Sequence, residues 1–567
     1  MEIVAQSGMK SSFGAALGIG LSIILIYGAC LAFFIPRDGF WAADTGCKFI
    51  QMEGLIQSGY RVFDIRWPGA AVDPDLAWAP IPYPFGIKIG GKLFLQYTPI
   101  FALLASVPYR LIGFAGLYVL PCLAGLLLLP AVYGIARETG SRPGAAPLAV
   151  LLTGLAGPLW FYSLSFWEHT LAVALLGWSI WAGLCHLRTG TALPLVVAAL
   201  LSGLAIYVRD ELYLFAGIWA VVQGFLSPRR RIAWLFPAVA VVTLIPLWIF
   251  YYCSLGNPCG YHFVQAKEAF NLARFVSERV VVFRNLFLNA HPQPIVSLLL
   301  SIPLLSLGLF RSLDDRWAPG IFLLMGLSGL LILVTLAAST SPMDTMLYTN
   351  GLFAPAPILA VGFARFAPAK CASVMSGSRG LKALVWLTVG YAIGYGCLAP
   401  VVSSQGIHWG CRFLLPVYPL LAILAARVIT ALWRNSLAGK ATITAAVGVA
   451  VLLQLFSIRL LIQRQTYTKN VASVLSVRPE RVFVTNVPLL PTTSLAPLFF
   501  SRPIFLVRTP EELTTLLARL REAGVQDVAW LTHEPPHSVP APGAIRIHDP
   551  WRRFLAVDVR TIRVASP

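Results

Sequence analysis

The stretch Ala233–Tyr252, AWLFPAVAVVTLIPLWIFYY, decides the fold class: it runs for 20 residues without a charge and has no polar face. A helix in a soluble core keeps one side for water, and this one keeps none. At 1.5 Å per residue, about twenty residues cover the ~30 Å hydrocarbon core of a bilayer. Pro237 and Pro246 lie inside it, which a membrane helix tolerates because its neighbours satisfy the freed backbone groups. The segment reads as a membrane span.

Working outward, the same signature recurs along the chain. Of 567 residues, 57% are hydrophobic and 12% charged, against about 25% charged in soluble domains; the mean hydropathy is +0.74. We read about thirteen spans, beginning near residues 13, 114, 143, 170, 191, 212, 232, 294, 318, 351, 382, 413 and 440. The fold class is therefore a polytopic α-helical membrane protein. Lys10 precedes the first apolar run and no small-residue cleavage site follows it, so that run reads as a retained span.

Charge gives the run an orientation. Lys10, Arg137 with Arg142, Arg188, Arg229 to Arg231, Arg311 with Arg316, Lys370 with Arg379, and Arg434 with Lys440 fall on one side. The positive-inside rule makes that side cytoplasmic, with the N-terminus inside and the C-terminus outside. Arg61, Arg66, Lys88, Lys92, Arg274, Arg279 and Arg284 are exceptions on the outer side, where they are candidates for binding anions. The net charge of +19 thus belongs to topology and anionic lipid headgroups, not to nucleic acid.

Two outer loops are long, at about 36–97 and 254–293, and a short polar one follows at about 339–350. In the first, Phe49, Met52, Ile56, Tyr60 and Phe63 stand at helical spacing, which predicts an amphipathic helix lying along the membrane surface. Cys253 and Cys259 flank the second and are candidates for a local disulfide. Residues 1–465 then form the membrane domain, and 466–567 a small extracytoplasmic α/β domain. In the latter, Thr509-Pro510-Glu511-Glu512 predicts a capped helix start between short alternating strands.

The candidate chemistry gathers at the outer span ends. Asp38 and Asp44 follow the first span, where a carboxylate can serve as a general base facing a polar cavity. Asp38-Gly39 also reads as an ordinary turn, and Asp44 as the cap of a helix starting at Thr45. Glu168-His169 and Arg209-Asp210-Glu211 sit at span boundaries, where they read equally as functional groups or as self-neutralising interfacial clusters. His408 and Arg412 precede a late span. The Arg412 fork suits a phosphate, with Lys88 and Lys92 weaker candidates for that duty. No phosphate loop, HExxH or G-x-S-x-G motif is present. His533, Glu534 and His537 stand among prolines, a poor setting for a zinc site.

Several segments resemble the GT-C superfamily, membrane glycosyltransferases that include protein O-mannosyltransferases and the lipid A aminoarabinose transferase. The resemblance is carried by the acidic residues after span one and by Gln96–Leu104, QYTPIFALL. It continues through Gly157–Ser163 with Trp167–Ala172, Gly203–Glu211, and Gly406–Pro416, GIHWGCRFLLP. It covers about residues 1–460 through short motifs in matching order. It implies a GT-C-like fold, Asp44 as catalytic base with Asp38 competing, Glu168 as a second acidic residue, and His169, Arg209, Asp210, Glu211, Lys88, His408 and Arg412 as substrate-binding groups. The first loop lacks the Asp-Glu pair of the O-mannosyltransferases, which argues against a protein acceptor of that kind.

The function so implied is transfer of a hexosyl or pentosyl unit from a polyprenyl-phosphate donor to an extracytoplasmic lipid, glycan or protein, with inversion, at a bacterial inner membrane. No cofactor is indicated, and the need for a divalent cation is open. The alternatives are a lipid-linked sugar flippase and a non-catalytic envelope assembly subunit; the first predicts repeated halves, and none is visible.

Overall fold

The computed structural model describes residues 2–288, 297–298, 301–303, 317–339, 350–366, 377–401, 406–433, 436–534, 543–548 and 555–564. The helices used below are α1 (Glu2–Ala29), α2 (Ala43–Gln57), α3 (Ile100–Ile112), α4 (Val119–Glu138), α5 (Ala145–Leu155), α6 (Leu159–Ser163), α7 (His169–Thr189), α8 (Ala192–Val208) and α9 (Leu212–Leu226). They continue as α10 (Leu235–Leu255), α11 (Tyr261–Ala269), α12 (Phe275–Phe283), α13 (Ala318–Ala338), α14 (Arg379–Leu398), α15 (Val417–Leu432), α16 (Leu437–Ser476) and α17 (Pro510–Glu522).

Among the described residues, seven helical segments are long and apolar enough to cross a membrane: Ser11–Phe34, Ile100–Glu138, His169–Thr189, Arg230–Leu255, Ala318–Ala338, Arg379–Leu398 and Leu437–Ser476. Four shorter apolar helices, α5, α8, α9 and α15, pack among them. Leu25, Phe33, Leu111, Val242 and Val334 point outward, each more than half exposed, as lipid-facing side chains do. The chain is an integral membrane protein.

Two expectations need correction. A span was predicted from about 351. Residues 351–361 are buried, yet the chain there is irregular and then forms a 3-10 helix, Pro357–Phe366. Non-helical backbone at membrane depth is tolerated when protein surrounds it, and here it packs against α15, α13 and α16. The span predicted near 294 apart from residues 297–298 and 301–303, the short loop at 339–350 except its ends, and Arg311, Arg316, Lys370, Arg434 and His537 lie outside the described residues.

The second correction concerns α2. Its spacing predicted a helix on the membrane surface, but Ala43 through Met52 are all buried. The C-terminal region covers it: a Cβ on Gly46 would stand 1.9 Å from the Thr492 carbonyl oxygen, so only glycine permits this approach. A single sequence shows one apolar face; it does not show that a segment near the far end of the chain packs on the other.

That C-terminal region is a five-stranded sheet built on the end of α16. The strands are β3 (Val482–Thr485), β4 (Ile504–Leu506), β5 (Asp527–Glu534), β6 (Ile545–Ile547) and β7 (Ala556–Arg563), after the β1–β2 hairpin (Gly86–Ile89, Lys92–Leu95) of the first outer loop. The order is β4-β3-β5-β7-β6, with β4, β3 and β5 parallel and β5, β7 and β6 antiparallel. Helix α17 starts as its sequence predicts: the Thr509 hydroxyl accepts from Glu512 N at 3.2 Å, and Glu512 accepts from Arg508 N at 2.7 Å. The edge strand β4 is covered by the first outer loop, where Leu506 N donates to the Trp78 carbonyl at 2.9 Å and Trp67 Nε1 donates to the Ile504 carbonyl at 3.0 Å. Loop and sheet are thereby joined above the helices.

Candidate active site

Local chain breaks place the charged residues. Helix α8 ends at Val208, Arg209 is extended (φ −147°, ψ 112°), and α9 begins at Leu212. The Arg209-Asp210-Glu211 triplet therefore occupies a tight turn between two apolar helices. Glu168 stands at the cap position of α7 but makes no capping bond, so its carboxylate is free for other partners. Asp44 lies in the first turn of α2, and here too capping falls to another group: the Thr45 hydroxyl accepts from Ala42 N at 3.2 Å.

Those carboxylates converge on three cations. Asp44 Oδ2 accepts from Arg412 at 3.0 Å, and Asp44 Oδ1 accepts from the Tyr97 hydroxyl at 2.6 Å. Glu168 accepts from Arg209 at 2.6 Å and pairs with Lys48 at 3.2 Å, with both Lys48 and Glu168 only 2% exposed. Arg209 also binds Glu211 at 2.6 Å and donates to His169 Nε2 at 3.3 Å. Asp44, Glu168 and Glu211 thus face Lys48, Arg209 and Arg412, and the formal charges cancel.

Aromatic rings wall the cluster. Arg412 lies 4.7 Å from the Phe413 ring centroid and 5.4 Å from that of Trp167, Arg209 lies 5.2 Å from Phe413, and Lys48 sits 3.5 Å over Tyr97. Burial alone would raise the Asp44 carboxyl, but Arg412 and then Lys48 outweigh it and hold Asp44 well below the usual carboxylate range. Glu168 follows the same logic, with burial opposed by Lys48 and Arg209. Burial pulls the Lys48 ammonium down despite its carboxylate neighbours. Arg412 Nε and Trp167 Nε1 are buried donors with no hydrogen-bond partner among the described residues.

The turn that carries Arg412 is held from several sides. Trp41 Nε1 donates to the Ile407 carbonyl and Asn350 Nδ2 to the Gly406 carbonyl, both at 3.0 Å, and Trp409 Nε1 donates to Gln454 at 2.9 Å. Gly410 has φ +68°, and a Cβ there would stand 2.7 Å from Pro355, so the turn requires glycine.

The structure therefore brings Asp44, Glu168, His169, Arg209, Glu211 and Arg412 together. It separates Asp38, which pairs with Lys469 of α16 at 2.9 Å. Lys88 is exposed on β1 and makes no ion pair among the described residues. His408 is buried, with Nδ1 3.2 Å from the Gly410 carbonyl. Asp210 faces away into a second group, accepting from Tyr251 and from His262 at 3.0 Å each. Lys48, Tyr97 and Trp167 were not singled out from sequence. Lys48 was findable, because it lies four residues after Asp44 on the same helical face. Among the described residues no group of three His, Cys, Asp or Glu side chains is arranged to hold a metal. His533 lies on β5, away from the charged cluster. Cys253 and Cys259 are both free and exposed.

No protein-family model and no curated protein matches the chain. Solved structures do. ArnT from Cupriavidus metallidurans, bound to undecaprenyl phosphate, superposes with a TM-score of 0.52 at 13% identity, covering 97% of this chain and 98% of ArnT. The oligosaccharyltransferase of Archaeoglobus fulgidus in its apo form gives 0.50 at 14% identity, covering 91% and 69%. The same archaeal enzyme, AglB, in complex with an inhibitory peptide and a dolichol-phosphate, gives 0.50 at 13% identity. The chain shares their fold.

Proposed function

We propose that this chain is a membrane glycosyltransferase that moves a sugar from a polyprenyl-phosphate donor to an extracytoplasmic acceptor. The observation that carries this reading is the neutral cluster of Asp44, Glu168 and Glu211 with Lys48, Arg209 and Arg412, set on a GT-C fold. ArnT with undecaprenyl phosphate and AglB with dolichol-phosphate set the precedent for the donor class.

The chemistry suits the residues. Phosphate is a competent leaving group, so no second carboxylic acid is needed to protonate it, in contrast to glycoside hydrolysis. What the reaction needs is a carboxylate to deprotonate or orient the acceptor, and cations to receive the phosphate. Asp44 takes the first role. Arg412 takes the second, with its free Nε beside the Trp167 ring, helped by Arg209 and Lys48; Glu168 positions the latter two. Because the cluster is already neutral, an arriving phosphate shares Arg412 with Asp44, whose carboxylate is left to orient the acceptor. Direct displacement inverts the anomeric carbon.

The cluster lies at the end of α7 opposite the basic helix ends, since Glu168 caps the start of α7 and Arg188, near its other end, binds Glu138 at the end of α4 at 2.8 Å. By the positive-inside rule the site is extracytoplasmic, the N-terminus cytoplasmic and the sheet domain outside, at a bacterial inner membrane. The test is transfer of radiolabelled sugar from defined polyprenyl-phosphate donors by the purified protein. Label should appear on an acceptor with release of the lipid phosphate. Donor that crosses a vesicle membrane unconsumed would instead establish a flippase.

A further inference from the structure

A second polar group lies beside the cluster and is left unused by the roles above. Asp210 is buried; its Oδ1 accepts from the Tyr251 hydroxyl at 3.0 Å and its Oδ2 from His262 Nδ1 at 3.0 Å. His262 opens α11, whose cap, Gly260, packs on the Tyr251 ring, and Gln265 ties the helix to the first outer loop through the Pro84 carbonyl at 2.9 Å. The imidazole is 42% exposed. Its ring centroid lies 6.1 Å from that of Tyr97, whose hydroxyl binds Asp44.

The arrangement fixes the tautomer. A carboxylate on Nδ1 keeps the proton there, which leaves the Nε2 lone pair free. Nε2 has no partner among the described residues. Asp44, by contrast, has one oxygen on Tyr97 and the other on Arg412. It can aim a nucleophile, but it is poorly placed to keep a proton.

We propose that the Asp210–His262 pair is the proton acceptor for the nucleophile, and that the nucleophile is therefore a hydroxyl group and not a phosphate. This rests on the glycosyl-transfer reading. In the step, the acceptor oxygen bonds to the anomeric carbon while the bond from that carbon to the phosphate oxygen breaks and its electron pair leaves with the lipid phosphate. The hydroxyl proton passes to His262 Nε2, and the exposed imidazolium returns it to water. A phosphate monoester is already an anion near neutral pH and would need no base to act as a nucleophile. The titratable groups set against the ring are Asp210, Tyr251 and Tyr97, with Lys267 further along its own helix.

The experiment uses the full-length purified protein with polyprenyl-phosphate sugars and two acceptor sets, one bearing sugar hydroxyls and one bearing phosphate monoesters. The wild type should use the hydroxyl set. His262→Gln should lower the transfer rate by ~10² or more at neutral pH, with donor binding unchanged and a residual rate that climbs with pH. Added imidazole should raise the rate of His262→Ala, a response that a merely structural histidine would not show. A His262→Gln rate within a few-fold of wild type, failure of imidazole to rescue, or use of the phosphate set alone overturns the assignment. If the wild type transfers nothing from any donor, the glycosyl-transfer reading falls first and the assignment with it.

Discussion

The hydroxyl of Tyr97 donates to Asp44 Oδ1 at 2.6 Å, so a residue of the first outer loop's far end anchors the carboxylate at its near end. With Arg412 on the other oxygen, Asp44 is held in one orientation by two elements remote from it in sequence.

Asp44→Asn should reduce transfer by at least ~10²-fold, the usual worth of a positioned carboxylate or base. Donor affinity should hold or tighten, because the amide no longer draws Arg412 away from a phosphate. Tyr97→Phe should give a smaller loss. Single-turnover transfer and equilibrium donor binding check both, and full activity in Asp44→Asn would remove Asp44 from the mechanism.

Arg412→Ala should weaken donor binding more than acceptor binding. It also leaves Asp44 buried with only Tyr97 and the nearby Lys48, and breaking a buried ion pair costs on the order of 3–5 kcal/mol. Arg412→Lys should not restore donor affinity, since an ammonium cannot both reach Asp44 and lie between the Trp167 and Phe413 rings. Donor titrations alongside thermal melting separate binding from stability.

Gly46→Ala should loosen the sheet domain from α2, because the added Cβ meets the Thr492 backbone oxygen at 1.9 Å. Overpacking of this kind costs about 1–3 kcal/mol. Gly448→Ala is the control, with nothing within 4 Å of its Cβ position. The melting temperature should fall in the first variant and not in the second.

His533 gives the sheet domain a pH dependence. Burial, and secondarily Arg464, holds its imidazole down at about 4, against about 6.5 in an unfolded chain. Between those values the unfolded state binds more protons, so stability rises with pH. The contribution is fully present above pH ~6.5 and is lost as pH falls toward 4, by on the order of 3 kcal/mol. Melting curves across that window should shift, and His533→Gln should flatten the shift.

How much of this was legible beforehand differs by feature. Spans such as Ala233–Tyr252 announce themselves, because length and apolarity are local properties. The helix start at Thr509 is equally local, and the capping bonds are there. Asp44, Glu168, Arg209 and Arg412 could be nominated as charged groups at span ends, but not paired. Glu168 meets Arg209 across 41 positions and Asp44 meets Arg412 across 368. Spacing along one chain cannot report such distances. Asp38 was nominated on the same ground, and nothing nearby in sequence shows that Lys469 pairs with it. His262 stood among loop aromatics, and its significance appears only once Asp210, 52 residues earlier, is seen beside it.

Helix α16 runs unbroken for 40 residues, which at 1.5 Å per residue is ~60 Å, about twice a bilayer's hydrocarbon core. Its length exceeds a single crossing, so its far half forms a mast beyond what a span needs. Along that half, Gln465 donates to the Tyr118 hydroxyl at 3.1 Å, the Thr468 hydroxyl accepts from Phe40 N at 2.9 Å, and Lys469 holds Asp38. These bonds fix the position of α2, and Asp44 with it, along the length of the mast. A substrate anchored in the same bilayer would meet the site at a fixed height, so the length of its own headgroup becomes a criterion for selection.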